Sequence, residues 1–184
     1  MAVEEPKFEM LTEDGSYQVR RYAPVIVAET RVDGDMDAAS GKGFRLIADY
    51  IFGNNTLAAA GADNASAKIA MTAPVTLEPV VRSEKIAMTA PVTAEPVAAD
   101  ASMATASQWR IQFVMPGQYS MQTLPKPVNP AVSLRELPAR TFAVLAYSGL
   151  NMAVKVQQKT EELTTWMRSR QLEPVGVPQL ARYD

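Results

Sequence analysis

The sequence predicts an α+β fold: a distorted antiparallel β-barrel of two pseudo-symmetric halves, each with a long α-helix packed on the sheet. Three observations carry this. The segments run strand, strand, helix, strand, strand and then broadly the same again; each helical segment has one apolar stripe; and the strand segments are short, with proline or glycine at their ends. At 184 residues the chain suits a single domain over positions 1–184, large enough to bury a core without disulfides or a structural metal.

Tyr17 to Tyr22 alternates well enough for a strand, and Pro24 separates it from a second over Val25 to Val32, whose apolar members are Val25, Val27 and Val32. Gly34-Asp35 then changes the period. Phe44, Ile47, Ala48 and Ile51 fall at i, i+3, i+4 and i+7, which places them on one face of a helix from about Asp35 to Phe52, closed by Gly53 and Asn54. Asn54 to Ala67, rich in Ala, Asn and Gly, reads as a loop.

The string Lys-Ile-Ala-Met-Thr-Ala-Pro-Val-Thr then occurs twice, at Lys68 to Thr76 and at Lys85 to Thr93, and each copy runs on to Glu-Pro-Val. Each reads as a strand that ends where Pro74 or Pro91 removes a ladder donor. Their spacing fits a strand plus a turn, so two adjacent antiparallel strands walling the barrel are expected, linked by Leu77 to Glu84. Alternation puts Ile69, Met71, Ala73 and Val75 on one face, and Ile86, Met88, Ala90 and Val92 on the matching face of the second copy.

Ala98 to Ser107 is a second loose segment. Trp109 to Met115 alternates strictly until Pro116-Gly117 stops it. Val132 to Leu137 and Thr141 to Tyr147 flank Pro138-Ala139-Arg140, a hairpin connection. Ser148-Gly149-Leu150-Asn151 offers caps for a long helix through about Leu172, with Met152, Val156, Leu163, Trp166 and Met167 as its inner stripe.

Composition removes many functions. With no Cys and no His, the chain has no thiolate or imidazole metal site, no Cys nucleophile and no Ser/His/Asp triad. A net charge of −2 without a basic block recommends neither nucleic acid nor an anionic membrane as partner. No pair of acids stands at a spacing that would serve a general base, and Glu161-Glu162 beside Lys159 reads as a solvated face. No enzyme is expected. No stretch reaches the eighteen or so apolar residues of a membrane span. The chain therefore reads as soluble, cytoplasmic or, if a leader once preceded Met1, periplasmic.

The ordered set Tyr17-Gln18-Val19-Arg20-Arg21-Tyr22, Gly43-Phe44, Tyr50-Ile51-Phe52-Gly53-Asn54, Lys-Ile-Ala-Met-Thr-Ala-Pro-Val, Phe113-Val114-Met115-Pro116 and Ser148-Gly149 resembles the SOUL haem-binding proteins over nearly the whole chain. The resemblance implies the two-half barrel and reversible binding of haem or another tetrapyrrole. Two departures stand out. Some family members carry a His, proposed as an iron ligand, where this sequence has Arg21, and no imidazole is available anywhere. Family chains also run on past Tyr-Asp into a final strand, whereas this one stops at Arg182-Tyr183-Asp184, so a missing last strand and an unpaired sheet edge are expected.

A tetrapyrrole needs an apolar surface for its macrocycle and cations for its propionates. On the first helix, Phe44, Ile47 and Ile51 offer the former, and Lys42 and Arg45 the latter. The same stripe also suits packing on the sheet, which is what an amphipathic helix normally does. Gly41 and Gly43 each cost the helix up to about 1 kcal/mol against Ala, so something approaches the backbone closely there: a ligand, or a strand underneath. Met71 and Met88 carry thioethers able to ligate haem iron, and equally able to fill a core. Arg21 completes the candidate set. Two other functions fit the same architecture: a module for flat amphipathic ligands resembling the effector domains of multidrug regulators, and a protein-interaction scaffold.

Overall fold

The computed structural model describes residues 4–57, 66–79 and 102–182. Along the described chain lie β1 (Phe8–Asp14), β2 (Tyr17–Tyr22), β3 (Val25–Asp33), α1 (Met36–Ile51), β4 (Asn55–Thr56), β5 (Val75–Pro79), β6 (Gln108–Val114), β7 (Lys126–Pro127), β8 (Ser133–Leu137), β9 (Arg140–Leu145), α2 (Ala153–Ser169) and β10 (Leu180–Arg182). Five strands form one sheet in the order β10-β5-β6-β3-β8, three form another as β1-β2-β9, and β4 pairs with β7. These strand pairings are all antiparallel, and one isolated bridge, Glu4 to Thr72, is parallel.

The strict alternation of β6 separates two faces of different chemistry. Trp109, Ile111 and Phe113 stand opposite Val32, Thr30 and Ala28 of β3 and opposite Pro79, Leu77 and Val75 of β5, and α1 covers this face with Met36, Ala39, Gly43, Ile47, Tyr50 and Ile51 buried. The reverse face carries ions instead. There Arg110 Nη1 lies 3.0 Å from Glu78, Arg135 lies 2.8 Å from Glu29, and Gln112 Nε2 donates to Glu29 at 2.8 Å. Pairing these half-buried charges is what makes their removal from water tolerable.

Local chemistry sets the ends of α1. The Asp35 carboxylate accepts from the Ala38 amide at 2.8 Å as N-cap, and Gly53, at φ +127°, turns the chain away after Phe52. Two polar groups are satisfied on burial. Tyr50 donates its hydroxyl to the Pro125 carbonyl at 2.7 Å, and Trp109 Nε1 donates to Gly34 O at 3.1 Å. In the three-stranded sheet, α2 lies against the side bearing Tyr17, whose ring stacks on Trp166 at 5.1 Å. Phe8, Tyr22 and Phe142 cluster on the opposite side, with the Arg20 guanidinium 4.4 Å from the Phe8 centroid.

Several expectations from the sequence need correction. The first repeat copy is not a strand closed by Pro74; its strand, β5, begins after that proline, and the Ala73–Pro74 peptide is cis. Residues 68–74 are tied elsewhere. Ile69 N donates to Ile51 O, the Thr72 hydroxyl donates to Val114 O, and Ala73 N donates to Glu4 O, so the backbone partners lie outside any ladder. Leu77 to Pro79 belong to β5 and not to a linker. Both edges of β5 are taken, by β6 and β10, so the two copies are not neighbouring strands; the second copy, Lys85 to Thr93, lies outside the described residues.

Helix α2 starts at Ala153 with Met152 as N-cap and no side-chain cap bond. Ser148 to Asn151 precede it, and Ser148 O accepts from Lys155 Nζ at 2.9 Å. Of the predicted inner stripe, Val156 is buried, Leu163, Trp166 and Met167 are half-buried, and Met152 is exposed. Strands β1, β4, β7 and β10 have no counterpart in the sequence reading.

Candidate functional site

The helix α1 is held against the sheet through Gly43. A Cβ built there would sit 2.3 Å from Ile111 Cγ1 and 2.9 Å from Ile111 Cβ, closer than carbon atoms can approach. The close approach anticipated from the two glycines is therefore made by β6 at Gly43, whereas the equivalent atom on Gly41 would meet nothing nearer than Arg45 Nη1 at 3.9 Å. Ile47 and Ile51 follow Gly43 into the core and are fully buried. Their side chains support the helix from beneath and offer no surface to a ligand.

What remains accessible is the outer side of α1. Phe44 is 41% exposed, its ring leaning on Phe113 at 5.5 Å; Arg45 and Lys42 are also exposed, roughly 100° and 160° around the helix from it. Among the described residues neither cation enters an ion pair. Phe52, at the helix C-cap, is 58% exposed. It lies eight residues beyond Phe44, about 12 Å along the axis and roughly 80° around it. Arg45, roughly 100° around from Phe44, stands within about 20° of the Phe52 direction. Phe52 is not among the stripe positions Phe44, Ile47, Ala48 and Ile51, although the Tyr-Ile-Phe-Gly-Asn string contains it.

The other candidates are scattered. Arg21 is on β2, exposed and paired with Glu9 at 3.2 Å, in the sheet that α1 does not cover. Met71 is half-buried against the core, and Met88 lies outside the described residues. Tyr50 is fully buried with its hydroxyl donated to the Pro125 carbonyl, and burial pushes its pKa far above the ordinary phenol value, with the Tyr119 phenol adding to the shift. Among the described residues no group of three acidic side chains is arranged to hold a metal ion.

Two surface clefts lie away from α1. One, about 490 Å³, is lined by Tyr17, Trp166, Glu161 and Glu162; its carboxylates repel a dianionic tetrapyrrole. The other, about 380 Å³, gathers Ile26, Met115, Tyr119, Met121 and Glu136. It brings two thioethers and a phenol together, but its one charged wall residue is again an acid. The outer side of α1 combines exposed aromatic surface with unpaired cations; among the described residues the β1-β2-β9 face does so too, where Phe8, 40% exposed, lies against Arg20, which has no ion-pair partner. Among the described residues no helix is long and apolar enough to cross a membrane.

The model of the SOUL heme-binding protein family matches residues 3–83 and again residues 80–184. The chain belongs to the SOUL family. The two matches overlap at residues 80–83, and each contains one copy of the repeat. Among curated proteins, none matches the chain. With no histidine in the chain, a tetrapyrrole would have to be held through surface and charge or through sulfur, oxygen or a lysine nitrogen. Phe44, Phe52, Lys42 and Arg45 suit the first of these.

Proposed function

We propose that this SOUL protein binds haem or a related tetrapyrrole reversibly on the outer side of α1, as a carrier, buffer or sensor and not as a catalyst. The family match over nearly the whole chain carries the reading. Phe44 and Phe52 would offer aromatic surface to the macrocycle, and Lys42 and Arg45 would meet its propionates, the latter able to bind a carboxylate bidentately. Ile47 and Ile51 act only by fixing the helix, and Arg21 and Met71 are outlying members of the set. The chain forms one domain, positions 1–184, whose sheets curve together as a distorted barrel of two halves with a helix on each.

Binding of this kind is shallow, because a one-sided aromatic contact buries far less of the ligand than an enclosed pocket does. Weak, reversible affinity suits a carrier or buffer. Hemin titration followed by absorbance tests the proposal: a shifted Soret band that weakens in Phe44→Asp supports it, and a free-hemin spectrum throughout refutes it.

A further inference from the structure

The slot between β6 and β10 that β5 fills has two candidates for its occupant in this chain. Ser66 to Val80 and Ser83 to Val97 are identical at thirteen of fifteen positions, differing only as Ala67 against Glu84 and Leu77 against Ala94. We propose that either copy can enter the slot, so that the SOUL domain exists in two registers offset by one whole repeat. The contacts that hold the first copy use atoms the second also has. Ala67 engages the Asn55 side chain only through its backbone N and O, at 2.9 and 2.7 Å. Ile69 N donates to Ile51 O, Thr72 to Val114 O, and Glu78 pairs with Arg110 at 3.0 Å; Ile86, Thr89 and Glu95 repeat these residues.

The loops permit the exchange. With the first copy seated, 10 residues run from β4 to Ala67 and 28 from β5 to β6; with the second seated these become 27 and 11. Closure entropy varies with the logarithm of loop length, so one loop's gain nearly cancels the other's loss. The two family matches, residues 3–83 and 80–184, each contain one copy.

One buried atom group separates the registers. Leu77 is fully buried opposite Ile111, and the second copy offers Ala94 there. A Leu-to-Ala exchange in a core disfavours the state by about 2–5 kcal/mol, so the first copy is preferred about 30- to 5,000-fold. Ala94→Leu removes that preference.

The test uses the full chain, which has no cysteine of its own. Thr76 faces Gln112 across the β5–β6 ladder, and Thr93 takes that place in the second register. Thr76→Cys/Gln112→Cys and Thr93→Cys/Gln112→Cys are oxidised in native buffer and the linked peptides quantified by mass spectrometry. The 93–112 link is expected at least about 30-fold more slowly than the 76–112 link, rising to within about threefold of it when Ala94→Leu is added. A 93–112 link that never forms, or does not respond to Ala94→Leu, overturns the proposal. A second measurement needs no crosslink: Leu77→Asp/Ala94→Leu keeps cooperative urea unfolding close to wild type if the slot accepts either copy. Loss of that transition overturns it too.

Discussion

Replacing Gly43 by alanine tests the packing that sets the site. In an open helix position, alanine would gain up to about 1 kcal/mol over glycine. At Gly43 the added methyl meets Ile111 Cγ1 at 2.3 Å and Cβ at 2.9 Å, atoms of a fully buried, β-branched side chain in the central strand. Neither can swing away, so α1 must lift or β6 must shift, and such overpacking costs about 1–3 kcal/mol. Set against the gain of about 1 kcal/mol, this leaves a net loss of about 0–2 kcal/mol, or a Tm drop of up to roughly 8 °C for a chain of this length. Gly41→Ala is the internal control, since its methyl enters nearly open space and should raise stability by about 0.5–1 kcal/mol. Urea unfolding followed by circular dichroism measures both. Ile111→Ala should lessen the penalty of Gly43→Ala, giving a coupling of at least about 0.5 kcal/mol. If Gly43→Ala stabilises the protein as Gly41→Ala does, the account of how α1 is seated is wrong.

Tyr50→Phe leaves the buried Pro125 carbonyl without its 2.7 Å donor and should cost about 1–3 kcal/mol in the same urea assay. Asp14 accepts from Trp166 and Arg170, and those hydrogen bonds hold its carboxyl below the ordinary aspartate range. A lowered folded-state value means that its stabilisation is present above the unfolded pKa of about 3.9 and is lost as pH falls through the folded value. Trp166 fluorescence should therefore change in acid below about pH 3.9, and Asp14→Asn should remove that limb; an unchanged profile in Asp14→Asn contradicts the assignment. Ile47→Asp should abolish folding, because it places an unpaired carboxylate in a fully buried position. A folded Ile47→Asp protein by circular dichroism would refute the burial of that face.

The sequence made some of this architecture readable because burial leaves a period. β6 alternates strictly, since one of its faces meets α1 and the other the charged network of Glu29, Arg110 and Glu78. α1 was readable for the same reason. β1 was not: all seven of its residues are exposed, so no burial pattern is imprinted on Phe8 to Asp14. β5 follows Pro74 and does not end at it, because a missing donor suits the start of a strand as well as its end. At the site, Lys42, Phe44 and Arg45 are exposed, although the i, i+3, i+4, i+7 spacing sets Phe44 on one face with Ile47 and Ile51. Ile47 and Ile51 share their helix but are claimed by the sheet, and only the Gly43–Ile111 contact decides between those uses. No periodicity encodes that distance.

Hemin titration of the intact chain and of Phe44→Asp bears most directly on the function. Phe44 is 41% exposed, and covering that surface while admitting no carboxylate opposite a propionate amounts to about tenfold in affinity. The account predicts a shifted Soret band for the intact chain and about tenfold weaker binding for Phe44→Asp, with both proteins equally folded by circular dichroism. Equal affinity in the two proteins would contradict the site, and a free-hemin spectrum in both would contradict the function.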